Sequence, residues 1–391
     1  MTISSVPPSK SRSQSLAKMA GRVLVAGFSG TQAPGHLVDA LRDETLGGVI
    51  LFARNLEAGP AENGTPTTDL RALAALTTAL RVAGSRAGNP LVAIDQEGGR
   101  VARVKAPAMV LPPARVLAER FDDAALARIV RAQGQELLAL GITWNFAPVL
   151  DVHTRPENPI IGDRAFGDDP IRAAQAALAF ESGLRGAGIL TCGKHFPGHG
   201  DTTKDSHLEL PEVDHPRERL VSVELEPFAR AIGAGVPSLM SAHVLYPALD
   251  PSNPATLSRA IATDLLRGRM GFRGVLVSDD LEMRALSDRM DIETSSTAAI
   301  EAGCDALLVC SNRELAERAH RALVRRAETD DGFRDRLHEA SERVMALRRS
   351  SSAHDASRPF DPVAFERIGR EARELVHGPK ASRSVPPRSG A

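Results

Sequence analysis

The stretch ILTCGKH, Ile189 to His195, sets out the plan of the chain. A short apolar run, continuous enough to be buried on both faces, ends in a cation and an imidazole. Seven other runs share this build. They are RVLVAG (Arg22 to Gly27), GGVILF (Gly47 to Phe52), PLVAID (Pro90 to Asp95), ITWNFAPVLDV (Ile142 to Val152), PSLMSAH (Pro237 to His243), RGVLVSD (Arg273 to Asp279) and DALLVC (Asp305 to Cys310). Helical periods lie between them. Asp69 to Val82 puts Leu73, Leu76 and Leu80 on one stripe; Ser258 reads as an N-cap before Ile261, Leu265 and Leu266, and Ser311 as one before Leu315, Ala319 and Ala322. A βα unit recurring about eight times over about 300 residues is the signature of a (β/α)8 TIM-type barrel. A doubly wound open sheet is the competing architecture. Its marks are missing: GFSGTQAPG after the first strand is not G-x-G-x-x-G, and no Walker A motif occurs.

Outside the barrel the pattern changes. Residues 1–18 and 378–391 are rich in Ser, Pro and basic residues and read as disordered. Residues 19–350 hold the barrel as one domain, and 351–377 form a C-terminal helical segment packed outside it. The 391 residues carry 42% apolar and 25% charged side chains with a formal net charge of −1, so bulk charge gives no grip on nucleic acid or a membrane surface. Three cysteines at irregular spacing build neither a disulfide framework nor a CxxC zinc site. No apolar run reaches the roughly 18 residues of a membrane span. The first twenty residues lack the apolar core of a secretory signal, which points to the cytoplasm.

In a barrel of this kind, residues just after each strand face the active site. Those positions hold Asp95, Asp151, Lys194, His195, His243, Asp279 and Asp280. Any one of them has a bland explanation as a solvated loop residue or a satisfied buried group. Their convergence on one barrel mouth is harder to explain as structure, because unpaired burial would cost several kcal/mol. KHFPGHGDTTKDSH (194–207) is the densest stretch, and Pro197, Gly198 and Gly200 keep it from forming a helix. Asp205 lies two residues from His207, close enough for the carboxylate to fold back, raise the imidazole pKa and orient it for acid/base work near pH 7. The loop's glycines allow the pair to enter the site on substrate binding. A metal reading competes, with His195, His199, Asp201, Asp205 and His207 as ligands. Against it, Pro197 and Gly198 bar the helix that H-x3-H normally rides on. In VSDDLEM (277–283), Asp279 ends a strand where a nucleophile, a base or a capping residue could stand, and Asp280 reads as a helix cap.

Five motifs together resemble the family 3 glycoside hydrolases, and among them the single-domain β-N-acetylglucosaminidases of bacterial cell-wall recycling. They are IDQEGGRVARV (94–104), NFAPVLDVHTRPENPIIGDRAFGDDP (145–170), KHFPGHGDTTKDSH (194–207), MSAHVLYP (240–247) and GVLVSDDLEM (274–283), and the likeness runs from about residue 20 to 345. The resemblance implies Asp279 as nucleophile, His207 as acid/base and Asp205 as its orienting partner. It also implies Asp95, Arg103, Arg164, Lys194 and His195 as ligands of the terminal sugar. Because the chain has one Trp and one Tyr, that grip must rest on hydrogen bonds rather than stacking. Trp144 departs from the family's smaller residue and reads as a core substitution. The N-terminal extension and basic tail have no family counterpart.

The expected activity is a retaining exo-β-N-acetylhexosaminidase acting on GlcNAc-terminated peptidoglycan fragments such as GlcNAc-1,6-anhydro-MurNAc and its peptides. A saccharide or muropeptide is the expected partner and a monomer the expected state, with no cofactor, metal, nucleic acid or membrane. A neutral His base does not repel an anionic acceptor, so a phosphorylase is the nearest alternative, followed by a β-glucosidase. A metal-dependent hydrolase and a non-catalytic sugar-binding barrel are the readings from other classes.

Overall fold

The computed structural model describes residues 10–61, 64–85, 88–203, 205–206, 209–351 and 360–377. Eight strands close into a parallel barrel. They are β1 (Leu24–Ala26), β2 (Gly48–Leu51), β3 (Leu91–Ile94), β6 (Trp144–Asn145), β7 (Leu190–Phe196), β8 (Ser238–Ser241), β9 (Val275–Asp280) and β10 (Ala306–Val309). Around the barrel the order is β1-β10-β9-β8-β7-β6-β3-β2, and β2 returns to β1. Between β3 and β6 a small antiparallel hairpin pairs β4 (Gln96–Gly98) with β5 (Val101–Ala102).

Strand alternation explains the two layers of core. Val25, Ile50, Leu91, Ala93, Trp144, Leu190, Cys192, Met240, Val275, Val277, Ala306 and Leu308 form one cluster inside the barrel. Their neighbours Leu24, Val49, Leu51, Val92, Ile94, Leu239, Leu276 and Leu307 belong to the larger cluster shared with the surrounding helices. Trp144 is fully buried, and its indole N–H donates to Ser238 Oγ at 3.0 Å, so this large residue fills the barrel interior. The helix Asp331–Ser350 adds Val344 and Leu347 to the same interior cluster. Its Arg336 and Arg343, with Arg267, surround the fully buried Asp305 at the start of β10.

Several expectations need correction. The helix Lys10–Arg22 takes in the second half of the stretch read as a disordered extension. Its polar composition hides two anchors: Leu16 and Met19 are buried, and Lys18 and Arg22 both pair with Glu44. Residues 1–9 and 378–391 lie outside the described residues. The run from Ile142 to Val152 is regular strand only at Trp144–Asn145, because Pro148 has no N–H for the ladder. Asn312 rather than Ser311 caps the helix Arg313–Thr329, accepting from Glu314 N and Leu315 N. The hairpin, missed in the sequence, turns at Gly98 and Gly99, both at positive φ (114° and 53°), where a side chain would also strike Pro112 and Pro113.

The C-terminal segment comprises the helices Pro362–Arg367 and Arg370–His377, with Phe365, Ala372 and Val376 buried against the barrel's helices. Arg373 reaches the buried carboxylate of Glu136. Among the described residues, no helix is long and apolar enough to cross a membrane.

Candidate active site

At the C-terminal ends of the strands lies a cavity of about 290 Å³, lined by Asp95, Glu97, Arg103, Arg164, Lys194, His195, Ser206, Asp279 and Asp280 among others. Five elements deliver most of these groups. The end of β3 and the β4–β5 hairpin supply Asp95, Glu97 and Arg103. The loop after β6 supplies Arg164, β7 supplies Lys194 and His195, and β9 supplies Asp279 and Asp280.

Charge pairing holds the cavity wall together. Lys194 Nζ sits 2.7 Å from Asp95 Oδ1 and 2.7 Å from Glu97 Oε1. Arg164 grips Glu97 with two parallel bonds, Nε to Oε2 and Nη2 to Oε1, both 2.8 Å. Arg103 Nη2 stands farther from Asp95 Oδ2, at 3.5 Å. Burial works against the charged forms of Glu97, Arg164 and Lys194, yet their partners prevail. Arg164 and Lys194 hold the Glu97 pKa far below the usual carboxylate range, and the Lys194 pKa is raised by Asp95 and Glu97. The wall therefore stays ionised, with donors and acceptors fixed for the hydroxyls of a small polar ligand.

His195 is oriented from behind. Its Nδ1 lies 2.7 Å from Asp151 Oδ2, while Asp151 Oδ1 accepts the backbone N–H groups of His195 and His199 at 3.1 and 2.7 Å. Asp151, read in the sequence as a mouth residue, thus acts from beneath by fixing the imidazole. His243 serves the fold in a similar way. Its Nδ1 faces Thr256 Oγ1 at 2.8 Å, and its Nε2 lies 3.0 Å from the Asp280 carbonyl at the end of β9.

Asp279 and Asp280 are adjacent but differently placed. Asp279 Oδ1 accepts the Asp280 N–H at 2.8 Å and lines the cavity. The Asp280 carboxylate accepts from Glu282 N and Cys310 N at 3.1 and 3.3 Å, so it closes the turn after β9. Burial, reinforced by the Glu282 and Asp279 charges, pushes its pKa up to about 7. With its pKa raised, Asp280 sets less negative charge beside Asp279 near neutral pH than an ordinary aspartate would.

Asp205 is described, with its carbonyl accepting from Glu209 N at 3.0 Å. His207, the expected acid/base, lies outside the described residues. The residue before it, Ser206, is buried, lines the cavity and accepts the Ala285 N–H at 3.3 Å, which places this part of the loop at the barrel mouth. The side chains considered as metal ligands disperse among other partners. His195 turns to Asp151, His199 to Thr202 and Ser206, and Asp201 to Arg155. Burial, with help from His195, drives the His199 pKa down to about 4, so its ring is neutral.

Sequence reasoning passed over Glu97, Phe52 and Arg54. Glu97 stands two residues beyond Asp95, so in extended backbone both carboxylates share a face, and that spacing was the available signal. Phe52 and Arg54 follow β2 and line the cavity, with the Arg54 guanidinium 4.3 Å from the Phe52 ring centre.

Residues 23–347 match the family model described as the glycosyl hydrolase family 3 N-terminal domain. The chain belongs to glycoside hydrolase family 3. A β-hexosaminidase of Alkalilimnicola ehrlichii is 40% identical over 299 residues, covering 74% of this chain and 81% of that protein. A β-hexosaminidase of Aromatoleum aromaticum is 37% identical over 361 residues, covering 90% of this chain and 93% of its own length. Among solved structures, a family 3 β-N-acetylglucosaminidase from Paenibacillus superposes with a TM-score of 0.84 at 36% identity, covering 92% of this chain and 67% of that one. NagZ from Neisseria gonorrhoeae, solved with N-trifluoroacetyl-D-glucosamine, superposes at 0.65 with 31% identity, covering 83% of this chain and 98% of NagZ. The chain is thus a glycoside hydrolase of the β-N-acetylhexosaminidase kind, and its cavity lies at the strand ends, the face of such barrels that commonly carries the chemistry.

Proposed function

We propose that this family 3 β-N-acetylhexosaminidase removes a terminal β-linked GlcNAc from peptidoglycan fragments, GlcNAc-1,6-anhydro-MurNAc and its peptides among them, with retention of configuration. The observation that carries the reading is Asp279 at the end of β9, in a cavity whose opposite wall is the ion-paired Asp95–Lys194–Glu97–Arg164 cluster. A volume of about 290 Å³ is at the small end of the roughly 300–1,000 Å³ of ligand sites, which suits one sugar ring and exo action. Relatives named β-hexosaminidase support the sugar, and the neighbour's N-trifluoroacetyl-D-glucosamine supports an N-acyl group. The peptidoglycan source, cytoplasmic setting and monomeric state extend the same reading.

The mechanism has two displacements. Asp95, Arg103, Arg164, Lys194 and His195 hold the sugar hydroxyls. An Asp279 carboxylate oxygen attacks the anomeric carbon while His207, oriented by Asp205, protonates the departing oxygen. The glycosyl ester on Asp279 then accepts water at the same carbon; His207 takes the water's proton, and the Asp279 carboxylate is released. No metal takes part.

Initial rates on the p-nitrophenyl β-glycosides of GlcNAc and glucose, in EDTA, test this with Asp279→Asn as the blank. Release from the GlcNAc compound alone, absent in the variant, is expected. Preference for glucose would replace the substrate, and silence on both would return the sugar-binding and metal readings.

A further inference from the structure

We propose that Asp201, which is not a member of the acid/base pair, is a positioning residue for it: through Arg155 it fixes the loop that carries Asp205 and His207. The inference rests on the acid/base reading above and adds what holds that pair in register.

The loop leaves β7 at Phe196 and is tied down before it reaches Asp205. Gly200 lies so close to the loop after β6 that a side chain there would sit 1.8 Å from the Val152 carbonyl oxygen. Asp201 follows and binds that same loop through its side chain and its backbone. Thr154 Oγ1 donates to Oδ2 at 2.5 Å, Arg155 Nη2 and Nε reach Oδ1 at 2.9 and 3.1 Å, and Arg155 Nε also donates to the Asp201 carbonyl at 3.0 Å. His215 Nε2 lies 3.1 Å from Oδ1 on the chain returning from the loop. Burial raises the Asp201 pKa, but the donors from Thr154, Arg155 and His215 outweigh it, so the carboxylate stays below its usual range and remains an anion.

A second tie completes the frame. His199 is buried, and its two ring nitrogens face Thr202 Oγ1 at 2.8 Å and Ser206 Oγ at 3.2 Å. Asn158, from the loop after β6, donates to the His199 carbonyl and to Thr202 Oγ1 at 2.9 and 3.1 Å. Residues 199–202 are thereby fixed to the loop that goes on to Arg164, and Ser206 is fixed to His199. The two ties thus set residues 199–202 and Ser206, which Asp205 and His207 flank in the sequence, against the loop that goes on to Arg164.

Asp201, His215 and Glu224 also lie within 4.8 Å of one another, as cation ligands would. The charges argue otherwise. Arg155 occupies Asp201, Arg219 stands 3.3 Å from Glu224 and 3.9 Å from Asp201, and two guanidiniums already balance two carboxylates. The cluster is an ion-pair knot whose work is mechanical.

Because an error of about 1 Å in a catalytic group costs on the order of 100-fold, loosening this knot should cost turnover more than binding. The test uses the full chain with Asp201→Asn and, from the other side of the contact, Arg155→Gln, beside His207→Ala. Substrates are p-nitrophenyl β-GlcNAc, whose leaving group hardly needs protonation, and a β-linked GlcNAc disaccharide, whose leaving alkoxide does. The expected result is a kcat loss of about 100-fold on the disaccharide, with a KM change under about threefold and a much smaller loss on the aryl substrate. Added azide should restore p-nitrophenol release in all three variants. It attacks the anomeric carbon of the glycosyl ester without giving up a proton, forms the glycosyl azide and frees the Asp279 carboxylate. Equal losses on both substrates without azide rescue, or no loss at all, would overturn the positioning role. Azide rescue in His207→Ala alone would leave the acid/base reading standing and sink this inference. A His207→Ala variant as active as the wild type would sink both.

Discussion

Replacing Glu97 by Gln tests whether the wall of the cavity is held by charge. The carboxylate is 6% exposed and binds Arg164 through two bonds and Lys194 through one. Gln keeps the shape but presents an N–H₂ to one cation and leaves the other without its anion. Lys194 retains Asp95 at 2.7 Å, whereas Arg164 loses its only carboxylate partner among the described ion pairs. Breaking one side of a buried pair costs about 3–5 kcal/mol. With an unfolding entropy of about 2.1 cal/mol/K per residue, that is a fall in Tm of about 4–7 °C for a fold of this size. The loss should depend on pH in a defined direction. The folded pKa of Glu97 lies below its unfolded value of 4.5, so its contribution is complete above that value and is lost as pH falls below it. Calorimetric melts of both proteins at pH 7 and pH 4 check this, and the gap in Tm should be wide at pH 7 and narrower at pH 4. KM for a β-GlcNAc substrate should rise as well, since Arg164 and Lys194 lose their fixed positions. A gap under about 1 °C at pH 7, or one independent of pH, would refute the reasoning.

Other perturbations follow from the same geometry. Asp280→Asn should gain stability relative to the wild type as pH rises from 5 to 8. A carboxyl whose folded pKa is pushed up to about 7 loses stability as pH climbs from its unfolded value toward 7, and Asn has no such cost; melts at the two pH values check it. Arg373→Ala should lower Tm by removing the cation beside Glu136, which burial pushes up to about 7 and which also accepts the Met109 N–H at 2.6 Å. That loss should be larger at pH 8 than at pH 5, and a pH-independent loss would show that helix packing alone was disturbed. Inorganic phosphate should leave the rate of GlcNAc release unchanged and yield no GlcNAc 1-phosphate by NMR. Accumulation of the sugar phosphate would make the protein a phosphorylase.

The barrel was readable because each strand is an apolar run that ends in polar residues, and a parallel sheet covered on both faces demands both features. The interior and exterior layers follow from alternation alone, so even the unusual Trp144 could be placed in the core. The β4–β5 hairpin escaped because QEGGRVA carries no alternating apolar pattern; its geometry is set by two glycines at positive φ. The helix Lys10–Arg22 escaped because Leu16 and Met19 are too few to show a period among Ser, Lys and Arg. Asp95, Lys194, His195 and Asp279 stood out in the site by standing at or just beyond the C-terminal ends of strands. Glu97 and Asp201 did not, since their importance lies in partners from distant loops: Arg164 is 67 residues from Glu97, and Arg155 is 46 from Asp201. The place of Asp151 beneath His195 is of the same kind.

The central claim is that Asp279 forms a covalent bond to the sugar. Mass spectrometry of peptides from enzyme quenched during turnover of a slow, 5-fluorinated β-GlcNAc substrate tests it most directly. The account predicts a mass increase of one glycosyl residue on the peptide spanning VSDDLEM, localised by fragmentation to Asp279. A fully unmodified peptide during steady turnover, or an adduct on Asp280 or Glu282 instead, would contradict it.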